Sequence, residues 1–270
     1  MAKDTTTAIA TLDQCEYTAL NPIKMQEFGV TIPELLREAV GPTGRLTAFD
    51  LERIVTPAGG GAFWEMQDGE GGKKAVKEIV GVLVAQRDSR TFWFNSIEDG
   101  GGGTPPDCFS DDGIRGTGAV EQAMVEGQGL VPINSGRRLC DQCDFSKFGS
   151  DEAGRGQACK QSKLLFFLVK DRLLPLLIAV PPTSLAAWRK FVLGQISLGK
   201  RPSQLEIGLS LEEDKNQKGI KFSRVKPRII RTLGQEEADA LAAYGAAFMR
   251  TLSFSVADAF KTIDAEAAQE

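Results

Sequence analysis

Apolar and polar positions alternate in short runs along most of this chain, and the three- and four-residue steps of helices are confined to a few segments. From Arg45, the residues Leu46, Ala48 and Ile54 alternate with Arg45, Thr47 and Arg53. This predicts a strand ended by Pro57 and the Gly59-Gly60-Gly61 turn, with Phe63 and Trp64 directly after it. A second strand is expected from Ala75 to Arg87, where Val76, Val80, Val82 and Val84 share a face and Gly81 marks a bulge or bend. A third, Thr91 to Asn95, carries Phe92, Trp93 and Phe94, so Trp93 faces away from its neighbours. The apolar runs Leu164–Val169 and Leu173–Val180, split by Lys170, Asp171 and Arg172, read as a buried strand pair.

After Pro181-Pro182, a helix capped by Thr183 or Ser184 would turn Leu185, Trp188, Val192 and Ile196 to the core. Strands at Gln204–Leu211 and Gly219–Ile230 follow, turning at Asp214–Gly219. The final helix is expected from Gln235 to Ile263, with Leu241, Tyr244, Phe248, Leu252 and Val256 at helical steps. Residues 1–44 read as an arm with one short helix, started by the Thr31/Glu34 capping box and bearing Leu35, Leu36 and Val40. The body is then 45–232, the C-terminal helix 233–263 and a short acidic tail 264–270. Residues 96–160 form an insertion of Gly, Asp and Cys without periodicity, too long to be a bare loop. Three strands, an insertion, a hairpin, a helix, two strands and a helix predict a mainly β, α+β fold: an elaborated five-stranded OB-fold barrel.

Cysteine supplies what would hold the insertion. Cys108, Cys140, Cys143 and Cys159 all lie in it, and the chain has no histidine. Cys140 and Cys143 form a C-x-x-C knuckle, 15 residues separate Cys143 from Cys159, and 31 separate Cys108 from Cys140. A two-residue gap lets both thiolates of a tight turn reach one ion at about 2.3 Å, and tetrahedral closure needs two more. These four cysteines are expected to hold a structural zinc ion by thiolates alone. Free thiols, a disulfide or a redox pair are the competing readings. Cys15 reads as a small buried or free thiol.

At 270 residues, 42% hydrophobic and 25% charged, the chain reads as a folded soluble protein. Its N-terminus has neither a basic n-region nor an apolar h-region, so no signal peptide is expected, and the apolar runs are too short to cross a bilayer. Net charge is −4, yet Lys215, Lys218, Lys221, Arg224, Lys226, Arg228 and Arg231 occur without an intervening acid. Such a strip is either a solvated strand face or a track for phosphates.

The stretches Cys108-Phe109-Ser110-Asp111-Asp112-Gly113, Cys140-Asp141-Gln142-Cys143, Gly154-Arg155-Gly156-Gln157-Ala158-Cys159-Lys160 and Pro181-Pro182-Thr183-Ser184 resemble phage-encoded proteins thought to bind single-stranded DNA. The likeness spans about the middle third of the chain. A zinc subdomain set into an OB barrel occurs among tailed-phage helix-destabilising proteins, which commonly use a histidine ligand that this chain lacks. The resemblance implies a non-catalytic coat for single-stranded DNA in phage replication or recombination, acting in the host cytoplasm. Its acidic tail would meet replication partners. Such binding needs phosphate-facing cations and aromatic faces for base stacking. Trp64 is the first expected platform and Trp93 the second. Arg53, Lys73, Lys74, Arg87 and Arg90 flank the early strands, and the strip above, with Phe222 inside it, would line the last hairpin. Phe92, Phe94, Phe166, Phe167 and Trp188 are expected in the core.

Two rival functions remain open at this point. A metal-dependent nuclease could use Asp107, Asp111 and Asp112, although the chain has no histidine base and no phosphate-binding P-loop. A zinc-ribbon adaptor or transcription regulator would need a recognition helix beside the metal, and none is evident.

Overall fold

The computed structural model describes residues 15–21, 34, 38–39, 41, 46, 50–57, 59–95, 106–125, 129–152, 154–215, 219 and 221–252. The fold is mixed α+β, mostly sheet with two long helices. It divides into two compact units, one of residues up to Gln86 with Leu165–Ser253, the other centred on Arg87–Leu164.

In the first unit the strand order is β1 (Arg53–Ile54), β9 (Leu176–Val180), β8 (Lys160–Leu168), β4 (Glu78–Phe92), β10 (Leu205–Lys215) and β11 (Lys221–Thr232). The expected five-stranded barrel is not found: among the described residues the sheets do not close. Among the described residues β11 pairs only with β10 and the two-residue β1 only with β9, so these outer strands do not meet. The second and third strands expected from the sequence are largely one, β4, which ends at Phe92 and leaves Trp93 beyond it. A separate hairpin joins β2 (Trp64–Gln67) to β3 (Lys73–Val76).

β4 and β8 are buried on both faces, which explains their apolar runs. Ile79 and Leu83 join Leu165, Phe167, Trp188 and Val192 in one core. Val82 and Leu168 join Tyr17, Leu233 and Leu241 in another. Helix α1 (Pro182–Ser197) closes the first core and α2 (Gln235–Thr251) the second. Ser184 is no cap: its Oγ accepts the Val225 N–H at 2.9 Å, and Pro181 holds the N-cap position. Gly81 is no bulge either, since it pairs in register with Ile207. It is glycine because a Cβ there would strike the Leu168 carbonyl and the Phe167 ring. Glu34, Glu38 and Ala39 are helical as expected; the rest of that short helix, the end of the C-terminal helix beyond Leu252 and the acidic tail lie outside the described residues.

Beneath α2 sits a buried carboxylate. Glu206 is 2% exposed, accepts the Tyr17 hydroxyl at 3.0 Å, and pairs with Lys170 at 3.2 Å and Arg231 at 2.9 Å. Burial, then the Glu206 charge, raises the Tyr17 phenol above its ordinary value, and burial alone raises Tyr244, whose hydroxyl donates to the Leu173 carbonyl at 2.7 Å. Above pH ~10 an unfolded chain would release both protons while the folded chain keeps them, so stability falls as pH rises past that point. These are the only two tyrosines. Absorbance at about 295 nm during alkaline titration is therefore expected to rise only together with loss of the far-ultraviolet circular dichroism of the fold; free titration near pH 10 in folded protein would contradict the burial.

The second unit departs most from the sequence pattern. The expected insertion is largely sheet: β5 (Cys108–Ser110), β6 (Arg115–Val125) and β7 (Gly129–Leu139), with 96–105 outside the described residues. β6 pairs with both β5 and β7, and β5 with the end of β4. Register shifts between Thr117 and Ala119 and between Ala119 and Glu121 interrupt the two-residue alternation. That interruption hides the strands from a periodicity argument.

Candidate metal centre and nucleic-acid interface

The four cysteines of the second unit line one cavity of about 10 Å³, roughly the room one water-sized particle needs. Cys108 comes from β5, where it lies opposite Phe92 on one side and Gly118 on the other. Cys140 and Cys143 bracket a 3-10 turn, and a second turn, Asp144–Ser146, follows. Backbone bonds fasten these turns: Cys140 N–H donates to the Ile114 carbonyl at 2.8 Å, and Cys159 N–H to the Phe145 carbonyl at 2.8 Å. The Cys159 loop is thereby stitched to the knuckle. A Cβ at Gly116 would lie 3.0 Å from Cys108 Sγ and 3.6 Å from Cys140 Sγ, so this β6 position must stay bare for both sulfurs to face the cavity. Phe92 stacks on Phe145 with centroids 4.3 Å apart and shields one side.

All five cysteines are free thiols, and Cys15 is buried, as expected, with its Sγ 3.7 Å from Glu237 Oε1. Among the described residues no three His, Cys, Asp or Glu side chains already stand in the tight arrangement of a metal cage. All four cysteines nevertheless line the same cavity, and sulfur is the donor type that a thiophilic ion takes. Burial pushes the Cys159 thiol up to about 12 and the Cys108 thiol up to about 11. A cation among them reverses that preference, because thiolates are the form that binds metal.

Two arginines stand close to these cysteines. Arg138 lines it, and its Cα lies opposite Gly116. Arg90 sits two residues before Phe92 on β4 and opposite Ser110, on the strand face that carries Cys108. Among the described residues, Arg90 Nε and Nη1 and Arg138 Nε are buried without a hydrogen-bond partner. Buried charged donors left unpaired are costly, by about 1–3 kcal/mol or more each.

The neighbouring carboxylates are committed elsewhere. Asp112 Oδ1 accepts from Ser110 Oγ and from the N–H groups of Ile114 and Arg115, at 3.0, 2.7 and 2.8 Å. Despite its partial burial, these bonds hold its carboxyl below the usual range. Asp107 accepts the Phe94 N–H at 2.8 Å, and Asp111 pairs with Arg87 at 3.7 Å. The three acids that a nuclease would need thus fix the loop.

The expected DNA contacts fare unevenly. Trp64 is fully buried and donates Nε1–H to the Leu209 carbonyl at 2.9 Å, so it is a core residue and no stacking platform. Strand alternation turns its neighbour outward: Phe63 is 55% exposed. Trp93 is half-buried, and Phe92, Phe166, Phe167 and Trp188 are buried as expected, with Phe94 half-buried. Arg53, Lys73, Lys74 and Lys215 are exposed; Arg87 and Arg90 are half-buried and belong to the second unit; Lys218 lies outside the described residues.

The basic strip is not bare. Lys221 pairs with Glu213 at 2.9 Å, Arg224 with Asp214 at 2.6 Å, Lys226 with Glu212, and Arg228 with Glu78 through two bonds of 2.6 Å. Arg231 joins Glu206, Glu237 and Glu16. The cause is the hairpin itself, which folds β11 back on the acidic half of β10, with Arg224 opposite Glu212 and Lys226 opposite Ser210.

No protein-family model, curated protein or solved structure matches the chain. Among the described residues no helix is long and apolar enough to cross a membrane. The most useful surface is where the glycine turn meets β11. Gly61 N–H donates to Ser223 Oγ at 2.8 Å, and Ser223 Oγ also lies 3.0 Å from the Gly61 carbonyl and 3.2 Å from that of Pro57. Exposed Phe63 follows two residues after this anchor, and Lys221 shares the Ser223 face of β11, while Phe222 and Arg224 alternate to the other face. The Arg224 guanidinium carbon stands 5.7 Å from the Phe222 ring centroid.

Proposed function

We propose that this protein is a non-catalytic binder of single-stranded DNA whose second unit is held together by one structural zinc ion on Cys108, Cys140, Cys143 and Cys159. The observation that carries the binding reading is exposed Phe63, two residues after a turn that Ser223 anchors and against which Lys221 lies at Gly60. An aromatic face presented next to cations is the combination that sequence-independent binding of single strands uses, at about 1–3 kcal/mol per stacked base. Lys73 and Lys74, exposed on the β2–β3 hairpin, add charge to the same unit. The ion pairs along β10 and β11 are largely exposed and are worth only about 0–1 kcal/mol each, so phosphates can exchange with the carboxylates. The exchanged carboxylates stay nearby and limit the gain. A place in phage DNA replication or recombination rests only on the sequence resemblance of the cysteine-bearing stretches.

The zinc would supply folding energy and no chemistry, because four thiolates leave no open position for water or substrate. Fluorescence-anisotropy titration of labelled oligo-dT and of a matched duplex, at two salt concentrations, tests the binding half. The single strand is expected to bind more tightly. Its salt slope should correspond to about two or three phosphates, near −1.5 to −2, and not to the roughly −5 that seven free cations would give. Equal affinity for duplex, or no binding at low salt, would sink this reading. The second reading, an adaptor that docks on another protein, is favoured by one feature: Met124 and Leu130, exposed and directly opposite each other on β6 and β7.

A further inference from the structure

Among the described residues, three guanidinium nitrogens, Arg90 Nε and Nη1 and Arg138 Nε, are buried without partners in the unit that holds the four-cysteine cavity. The proposed single-strand surface on the first unit does not use them, and among the described residues no carboxylate takes them up. A neutral thiol is a poor acceptor for such donors; a metal-bound thiolate is a good one. Binding a divalent cation to four thiols releases four protons and leaves a centre of net charge −2, and two guanidinium groups cancel that charge. We propose that Arg90 and Arg138 are positioning residues for this metal centre, donating N–H groups to the thiolates and neutralising the dianion. The proposal rests on the zinc reading above.

Placement supports the pairing of roles. Arg138 is held by β7 opposite Gly116, the bare position against which the Cys108 and Cys140 sulfurs lie. Arg90 is held by β4, opposite Ser110 and two residues from the Cys108 partner Phe92. One arginine therefore approaches from each side of β5 and β6, on rigid strands, while the knuckle supplies the turn. With its charge cancelled and its sulfurs engaged by N–H donors, the centre is built to retain its ion and resist thiol-directed reagents.

The test compares the wild-type chain with R90M, R138M, R90K and R138K, each purified in the presence of zinc. Metal content by elemental analysis comes first: about one zinc per wild-type chain is expected, and none would remove the zinc reading and this proposal together. Zinc affinity is then read by competition with a chromogenic chelator, and sulfur protection by the rate of reaction with a disulfide reagent. Each methionine variant is expected to bind zinc about 10- to 100-fold more weakly and to react faster. Wild-type affinity and reaction rate in both methionine variants, with zinc present in the wild type, would overturn the arginine assignment alone. Should a methionine variant not fold even with zinc, its lysine counterpart decides: it keeps the charge but loses the planar fork, so weakened retention supports the proposal and unchanged retention overturns it.

Discussion

Replacing Cys143 by Ser is expected to unfold the second unit while leaving the first intact. A structural zinc contributes about 10–16 kcal/mol of apparent binding free energy in small peptides, as much as the ~5–15 kcal/mol that keeps a whole domain folded. The second unit has a small core to fall back on: Phe92, Val120 and two of the cysteines, with Phe94 and Phe145 against them. The first unit has two cores of its own, with Trp188, Phe167, Ile178 and Leu241 fully or nearly fully buried. Amide hydrogen exchange followed by mass spectrometry separates the outcomes. Rapid exchange should spread through β5, β6 and β7 in the variant, as it should in wild type treated with a strong chelator, while β8 to β11 stay protected. A variant that lost its metal yet kept wild-type protection in β5–β7 would refute a structural ion.

Two adjacent aromatics should give opposite results. Trp64→Ala removes one of the two largest fully buried side chains of the first unit and strands the Leu209 carbonyl that its indole satisfies. It is expected to destabilise the protein by about 3–5 kcal/mol. Phe63→Ala removes a ring already half in water, so its stability should change by less than about 1 kcal/mol. Its affinity for oligo-dT should fall by about 1–3 kcal/mol if one base stacks there. Chemical denaturation and anisotropy titration of both variants read the two effects separately. Loss of binding with Trp64→Ala at conditions where that variant is still folded, and none with Phe63→Ala, would move the site away from the turn.

The contrast shows where sequence stops being legible. Phe63 and Trp64 announce that one aromatic goes in and one out, but which is which depends on the register of a four-residue strand. The better-looking platform was the buried one. Cysteine spacing, in contrast, survives ignorance of the fold: four thiols in one stretch meet in one cavity although the strands around them carry no clean period. The bulges near Ala119 are responsible, because each shifts the in-out pattern by one residue. The basic strip was legible as charge and misleading as surface. Folding Lys221–Arg228 back across Glu212, Glu213 and Asp214 was implied by the hairpin already expected there, and pairing those charges follows from it. Arg138 gave no signal at all and Arg90 reads from sequence only as a phosphate-facing cation, since only the strand pairing of β4 with β5 and of β6 with β7 brings them toward cysteines distant in sequence.

The most direct test of the account is native mass spectrometry of the purified chain mixed with a short oligo-dT. The predicted spectrum shows the chain carrying one zinc ion, both alone and bound to a single strand, with the strand lost on Phe63→Ala and the zinc retained. A chain that carries no metal and captures no oligonucleotide would contradict both halves of the proposal at once.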